Sequence, residues 1–335
     1  MNNQHRSMRP VRLGRRELGG VFAAMATAAG PAGAQGTAYP SRPIRVVVAW
    51  PAGGGVDTPI RLVSQPMSRF LGQPLVLDNR GGATGSIGEA EAARATPDGY
   101  TILGTGLSMI TNPMLLRNLP YDPVTAFVPI CQLISAPLLL VVRADHPARS
   151  LTELLEMCRA RPGHLTFFSS GLVGGPHMTG LMLLRRAGVT ATHVSYRGGS
   201  QSIAGVMGGD TDFGFSTLPQ AVPLVREARL RALAVSSPER LPSLPEVPTV
   251  AEQGFPGFER AEASNLWALA GTPAAAISRL HEAAVAALAE PEVLARLEIL
   301  GMTPVGSTPA QLGSAMDEYR RFAAEMIRTE GIRVE

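Results

Sequence analysis

Along the chain, short apolar runs alternate with longer stretches in which apolar residues recur every three to four positions. Turns rich in glycine and proline separate the two. The runs at 44–50, 75–77 and 100–103 are compact, β-branched or aromatic, and bounded by turn residues, so they predict strands. The segments between them, 59–71 and 86–94, predict helices. Pro59 suits a first helical turn with Asp57 or Thr58 as its cap, and Pro66 predicts a kink. This β-α-β-α-β order calls for a mostly parallel sheet covered by helices on both faces. The alternation restarts with strands at 137–143, 165–168, 192–195, 213–215 and 232–235, interleaved with helices at 151–159, 177–186, 200–207 and 218–227. A long Pro- and Gly-rich connection at 241–258 precedes a strand at 265–269. Helices near 274–289, 291–300 and 310–328 close the chain. The pattern reads as two α/β units with helical padding at the C-terminus, without a fixed-period repeat.

Charge changes this picture only at the N-terminus. The 335 residues carry 30 basic and 27 acidic side chains, and every basic one is arginine. Residues 1–34 hold five of the arginines and one acid, which leaves 25 against 26 in the remainder. A body so near neutrality carries no electrostatic footprint for nucleic acid or anionic lipid. The first 36 residues have the layout of an export signal: an arginine-rich start, a weakly apolar stretch over 19–29, and Ala32-Gly33-Ala34 as a cleavage site, with processing after Ala34. Arg15-Arg16 ahead of Glu17-Leu18 gives it a twin-arginine character. No later apolar run approaches the ~18 residues of a membrane span. The expected compartment is the periplasm. Cys131 and Cys158 are the only cysteines and read as two buried thiols, although that compartment permits a disulfide.

Catalytic chemistry finds little support. The six histidines form no H-E-x-x-H, there is no C-x-x-C and no Walker motif, so neither a metal nor another cofactor is expected. Thr84-Gly85-Ser86-Ile87-Gly88 lacks the first glycine of a nucleophile elbow. Two glycine-rich loops remain, at 51–58 and 169–177, each following a strand and opening a helix. Backbone N–H groups at a helix start point outward and the helix dipole favours an anion there. Two such loops facing one another would hold a small carboxylate without an ionised partner.

In order along the chain stand Tyr39-Pro40-Ser41-Arg42-Pro43-Ile44, the Trp50–Asp57 stretch Trp-Pro-Ala-Gly-Gly-Gly-Val-Asp, Asn79-Arg80-Gly81-Gly82-Ala83, and Pro97-Asp98-Gly99-Tyr100-Thr101. Leu119-Pro120-Tyr121-Asp122-Pro123, Ser195-Tyr196-Arg197-Gly198-Gly199 and Pro245-Glu246-Val247-Pro248-Thr249-Val250-Ala251-Glu252 continue the series. The run resembles the Bug-type solute-binding proteins, the periplasmic receptors of tripartite tricarboxylate transporters. The resemblance implies a two-domain α/β periplasmic binding protein of type II, a Venus flytrap with mostly parallel sheets and a cleft between the domains. Domain 1 would comprise 38–134 plus 264–335, and domain 2 residues 135–263. It further implies a small carboxylate held by backbone amides and ordered water, membrane transporter subunits as partners, a monomeric state and no enzymatic activity.

Set against the residues, this places Trp50, Pro51, Ala52, Gly53, Gly54, Gly55, Val56 and Asp57 on one side of the ligand, with Thr105 and Ser108 beside them. Ser169, Ser170, Gly171, Gly174, Gly175 and His177 face them from the other, and Tyr196, Arg197 and Ser216 line the wall. Asp57 reads as a helix cap or a ligand contact, and Arg197 as a surface arginine or as a clamp on a second ligand carboxylate. Two departures stand out. Ser216 occupies a position where members of the family often carry Asp, removing a negative charge from the expected cleft. The 265–273 segment reads as shorter than usual, which blurs the second hinge. The alternatives are a sensor that uses the same site to signal through a partner, and an exported hydrolase using Ser169 or Ser170 with His177, for which no orienting acid stands at a motif spacing.

Overall fold

A computed structural model describes residues 39–330 apart from Arg117 and Val173, so the expected export signal lies outside the described residues. Strand β1 (Ile44–Val48) is central because Val46, Val47 and Val48 are wholly buried, as expected of a parallel strand covered on both faces. Each such valine contributes about 1.5–3 kcal/mol. Strand β2 (Leu75–Asn79) and strand β3 (Thr101–Thr105) flank it in parallel, with Ile44 opposite Leu75 and Val46 opposite Ile102. Helix α1 (Asp57–Leu71) joins β1 to β2. It buries Ile60, Val63, Met67 and Leu71 along one stripe and stops at Gly72, whose φ of 70° is a left-handed cap. Pro66 lies inside it. Helix α2 (Ser86–Ala93) follows a 3₁₀ turn at Ala83–Gly85, and helix α3 (Ser108–Leu115) follows β3.

The second half repeats the plan. Strands β5 (Thr166–Ser169), β6 (Thr192–Ser195) and β7 (Phe213–Thr217) run parallel, with β5 between the other two. Helix α4 (Leu151–Ala160) precedes β5. Helices α5 (Gly175–Ala187), α6 (Gly199–Gly208) and α7 (Leu218–Arg226) follow β5, β6 and β7 in turn. Strand β8 (Leu230–Val235) comes next.

The halves are joined by two long antiparallel strands, β4 (Phe127–Arg143) and β9 (Ala261–Leu269). β9 lies against β3 on one edge and β4 on the other. β4 continues past β9 to pair with β7 and β8 on its two edges. The sequence pattern predicts only 137–143 as strand here. Pro129, Gln132, Ser135 and Pro137 interrupt the apolar run, and the ladder takes up the irregularity as register shifts after Pro129 and after Gln132. Helix α3 and the two-residue strand β10 (Thr303–Pro304) likewise lack a periodic signal. Helices α8 (Ala274–Leu288), α9 (Pro291–Ile299) and α10 (Pro309–Glu330) close the chain. The alanine-rich face of α8 packs against α1, and α10 covers Val47, Leu103 and Trp267. Cys131 and Cys158 are buried free thiols.

This architecture decides where chemistry can occur. Helices α1, α3, α5, α6 and α7 each begin just beyond the C-terminal end of a parallel strand. Ligands of open α/β sheets bind at that end.

Candidate functional site

The carboxylate of Asp57, at the start of α1, is fully buried. It accepts hydrogen bonds from the Gly53 N–H (2.9 Å), from Arg61 Nε and Nη2 (3.1 and 2.8 Å) and from Asn79 Nδ2 (2.8 Å). Asn79 Nδ2 also donates to the Trp50 carbonyl (3.0 Å), so one cluster clamps both ends of the loop. Burial pushes the Asp57 carboxyl up, but the donors from Arg61, Asn79 and Gly53 outweigh it and hold the group below the usual carboxylate range. The left-handed residue of the loop is Gly53, at φ 78°, whereas Gly54 carries no such constraint. The loop is thus pre-set by its own acid, and Gly54, Gly55 and the buried Val56 follow it.

They face a narrow cavity of about 40 Å³, also lined by Trp50, Pro51, Leu107, Ser108, Ser170, Gly174, Gly175, Pro176, Gly199, Thr217, Gln220 and Glu262. A wider cavity of about 810 Å³ adjoins it and shares Trp50, Pro51 and Ser170. Its walls include Asn79, residues 81–85, Gly171 and residues 195–197. The two form one cleft whose walls touch. A methyl at Gly55 would stand 2.7 Å from Thr217 Cγ2, one at Gly198 would stand 3.1 Å from Pro51, and one at Gly171 would stand 3.4 Å from Thr84.

Two polar atoms on the narrow cavity are conspicuous. Ser108 Oγ and Trp50 Nε1 are buried and, among the described residues, neither has a hydrogen-bond partner. Ser108 is only 2% exposed. A buried polar atom without a partner costs about 1–3 kcal/mol, so each calls for a water or a ligand to complete it. Both lie close to Gly85, where a methyl would sit 3.3 Å from Ser108 Oγ and 3.4 Å from Trp50 Nε1. The charged side chains on the two cavity walls are Glu262 and Arg197, one on each.

Several expected residues are placed elsewhere. Thr105 donates its hydroxyl to the buried Glu89 (3.2 Å), which also receives Asn112 Nδ2 (3.0 Å) and the Tyr121 hydroxyl (2.6 Å). This cluster underlies the Ser108 side, and burial raises the Glu89 carboxyl against those donors. Ser169 is wholly buried, with Oγ 2.8 Å from the Gly171 carbonyl and 2.8 Å from His193 Nε2. His177 stacks on His193 with ring centroids 3.8 Å apart, and Phe167 stacks behind it. Burial first, then the neighbouring imidazole, pushes His177 down to about 3, and burial pushes His193 down to about 4, so both rings are neutral. Ser169 therefore meets His193 rather than His177. Its hydroxyl is sealed from substrate and, among the described residues, no carboxylate hydrogen-bonds His193, so the geometry offers no hydrolytic triad. Ala52, Gly53, Asp57 and Ser216 line neither cavity. Ser216 is 3% exposed, so its lack of charge does not empty the cleft of acid.

The acid comes instead from β9. Glu262 reaches the start of α5 and packs directly against Gly175. The approach is so close that a methyl at Gly175 would stand 1.7 Å from Glu262 Oε1. Burial pushes this carboxyl up to about 7, while the Gly175 amide and Arg260 pull the other way. Glu262, Thr217 and Gln220 carry no motif in the sequence. Only the pairing of β9 with β3 and β4 brings Glu262, 87 positions beyond Gly175, to that helix.

A curled α/β sheet, long strands crossing between its halves and a cleft at the strand ends define a periplasmic binding protein of the two-domain, type II class. Residues 60–332 match the model for tripartite tricarboxylate transporter family receptors, and the chain belongs to that family. It is similar to a protein encoded in the tcbD–tcbE intergenic region of Pseudomonas sp. strain P51, at 38% identity over 89% of each chain. It is also similar to BugT of Bordetella pertussis, at 33% over 94% of this chain and 97% of that one. Among solved structures, the periplasmic binding protein BugD gives a TM-score of 0.83 at 31% identity, over 89% of this chain and 100% of that one. An R. palustris protein solved with adipate gives 0.84 at 30%, over 88% and 99%. MatC from Rhodopseudomonas palustris, solved with bound malate, gives 0.80 at 30%, over 86% and 100%.

Proposed function

We propose that this chain is a receptor, exported to the periplasm by its first 36 residues, that captures a small carboxylate and delivers it to the membrane subunits of a tripartite tricarboxylate-type uptake system. One observation carries the reading: several helix N-termini converge on a cleft in which Ser108 Oγ and Trp50 Nε1 stand buried and unpartnered. Amides of residues 54–56 and the hydroxyl and indole N–H at the same wall supply donors for a carboxylate, which loses several kcal/mol on leaving water unless its hydrogen bonds are replaced. Two similar solved proteins, those with adipate and malate, hold small carboxylates. The chain binds its ligand and converts nothing.

The hinge of this reading lies where the chain crosses between domain 1 (38–134 and 264–335) and domain 2 (135–263). Both crossings fall at one place in the sheet, since Ile134 pairs with Ser264 and Ser135 with Ala263. Paired crossings let the two halves rotate about a single short segment. Thermal unfolding of the mature protein against a panel of small carboxylates tests the reading. A ligand of the folded state at a hundred times its Kd adds about 2.7 kcal/mol and raises Tm. A panel that leaves Tm unchanged would overturn it. Uptake of the cognate acid should also disappear on deletion of the gene.

A further inference from the structure

The backbone is most irregular on one wall of the cleft. Residues 82–85 form the only run of consecutive left-handed positions among the described residues, at φ 129° for Gly82, 46° for Ala83, 55° for Thr84 and 92° for Gly85. Glycine takes such angles freely, whereas alanine and β-branched threonine resist them. All four residues line the wider cavity. Thr84 reaches toward the opposite wall, since a methyl at Gly171 would stand 3.4 Å from its Cγ2 and Oγ1. Gly85 adjoins the unpartnered Ser108 Oγ and Trp50 Nε1 of the narrow cavity. A turn that relaxed to right-handed backbone would therefore move both cavity walls.

A strained turn persists only where its surroundings over-determine it. Inside the turn, the Gly85 N–H donates to the Gly82 carbonyl (3.0 Å) and Ser86 Oγ to the Ala83 carbonyl (2.9 Å). From outside, Asn112 on α3 reaches in, and its Nδ2 donates to the Thr84 carbonyl (3.1 Å). The same nitrogen donates to Glu89 Oε2 on α2 (3.0 Å). Glu89 is wholly buried and lines neither cavity. The Tyr121 hydroxyl (2.6 Å) and the Thr105 hydroxyl (3.2 Å) hold its carboxyl in place.

We infer that Glu89 is a positioning residue for ligand capture: it orients Asn112, which locks the left-handed 82–85 turn into the shape that completes the cleft. Glu89 touches no ligand and acts through Asn112 and the Thr84 carbonyl. The inference rests on the carboxylate-receptor reading and goes beyond it by naming what pre-sets the binding wall.

The test is calorimetric titration of the mature protein, well below its melting temperature, with the small carboxylate that raises Tm most. Glu89→Ala, which frees Asn112, should weaken binding at least about tenfold, a difference of about 1.4 kcal/mol. Asn112→Ala should weaken it as much with the carboxyl still present. Glu89→Gln should stay within about threefold of wild type, because its carbonyl oxygen accepts from Asn112 and Tyr121 while its amide donates to Thr105 Oγ1. Ala83 is exposed, so Ala83→Gly relieves backbone strain without removing a core contact. Added to Asn112→Ala, it should bring affinity back to within about threefold of wild type. A residue that only stabilised the core would lower Tm on replacement by alanine and leave the affinity of the folded protein unchanged. Melting curves establish folding, and should Glu89→Ala fail to fold, Asn112→Ala with and without Ala83→Gly decides alone. Wild-type affinity in Asn112→Ala would overturn the inference and leave the receptor reading intact. So would a loss that Ala83→Gly does not relieve, or a Glu89→Gln protein weakened tenfold or more. Failure of every acid to bind wild type would overturn both.

Discussion

The loops that open α1 and α5 share one signature, a strand, a glycine-rich turn and a helix start, yet their amides are disposed differently. In the first, the acid comes from within. Asp57 lies four positions from Gly53 and holds that amide, while Gly54, Gly55 and Val56 line the narrow cavity. In the second, the acid comes from Glu262 on a distant strand and packs against the helix start at Gly175. A helix N-terminus attracts a carboxylate in both cases. Whether the carboxylate is local, from elsewhere in the chain, or from a ligand decides whether the loop is braced internally, tied to a distant strand or open as a binding surface.

The largest way to break this comparison is Asp57→Ala. It removes the acceptor shared by Gly53, Arg61 and Asn79 and leaves the last two facing a buried void. Arg61 is half-exposed and finds water, so the expected loss is about 2–4 kcal/mol, read by urea denaturation. A loss under about 1 kcal/mol would show that the loop does not need its brace. Gly175→Ala attacks the second loop. A methyl 1.7 Å from Glu262 Oε1 has to displace the carboxylate, at a cost of about 1–3 kcal/mol for the orphaned groups. Unchanged stability would mean that Glu262 does not hold that helix start.

A smaller effect is expected from pH. In the unfolded chain His177 and His193 take up protons below about 6.5, but in the folded chain only near 3 and 4. The unfolded state therefore binds more protons, and this contribution to stability falls as pH drops from about 6.5 toward 4. Glu262 acts in the opposite sense. Its folded value near 7 against 4.5 makes its contribution fall as pH rises between those values. The profiles overlap, so the informative quantity is a difference. Stability of wild type minus that of a His177→Phe, His193→Gln double variant should decline by about 1–2 kcal/mol between pH 7 and pH 6. A flat difference would contradict buried neutral imidazoles. Smaller again is Gly55→Ala. Its methyl would stand 2.7 Å from Thr217 Cγ2 across the cleft, so affinity should fall about tenfold with little change in the melting of the ligand-free protein. Equal affinity would mean that the walls do not close against each other.

Most of the fold was readable because its strands are short, compact and regularly spaced between helices. What escaped was irregular. Half of β4 is broken by Pro129 and Pro137, and α3 buries Ser108, Thr111 and Asn112 along with its apolar residues, so neither has a clean period. The cleft was legible where its residues are local: Trp50, Pro51, Gly54, Gly55, Ser108, Ser170, Gly174, Gly175, Tyr196 and Arg197 all line it. His177 and Ser169 were attractive by residue type, but type does not report the stack on His193 that takes them inward. Glu262 and Gln220 could not be found from spacing, because strand pairing and helix docking alone bring them to the loops.

The most direct test of the central claim, that amides of the first loop hold the ligand, is calorimetric titration of Gly54→Val with the tightest-binding small carboxylate. Gly54 lines the narrow cavity. A Cβ there meets nothing closer than the Pro51 carbonyl at 3.5 Å, and φ is not left-handed, so the variant should fold and melt like wild type. The predicted result is a loss of at least about tenfold in affinity, or about 1.4 kcal/mol, because the side chain stands between the amides and the ligand. A Gly54→Val protein that folds and binds the acid as tightly as wild type would contradict the claim and leave this loop a turn.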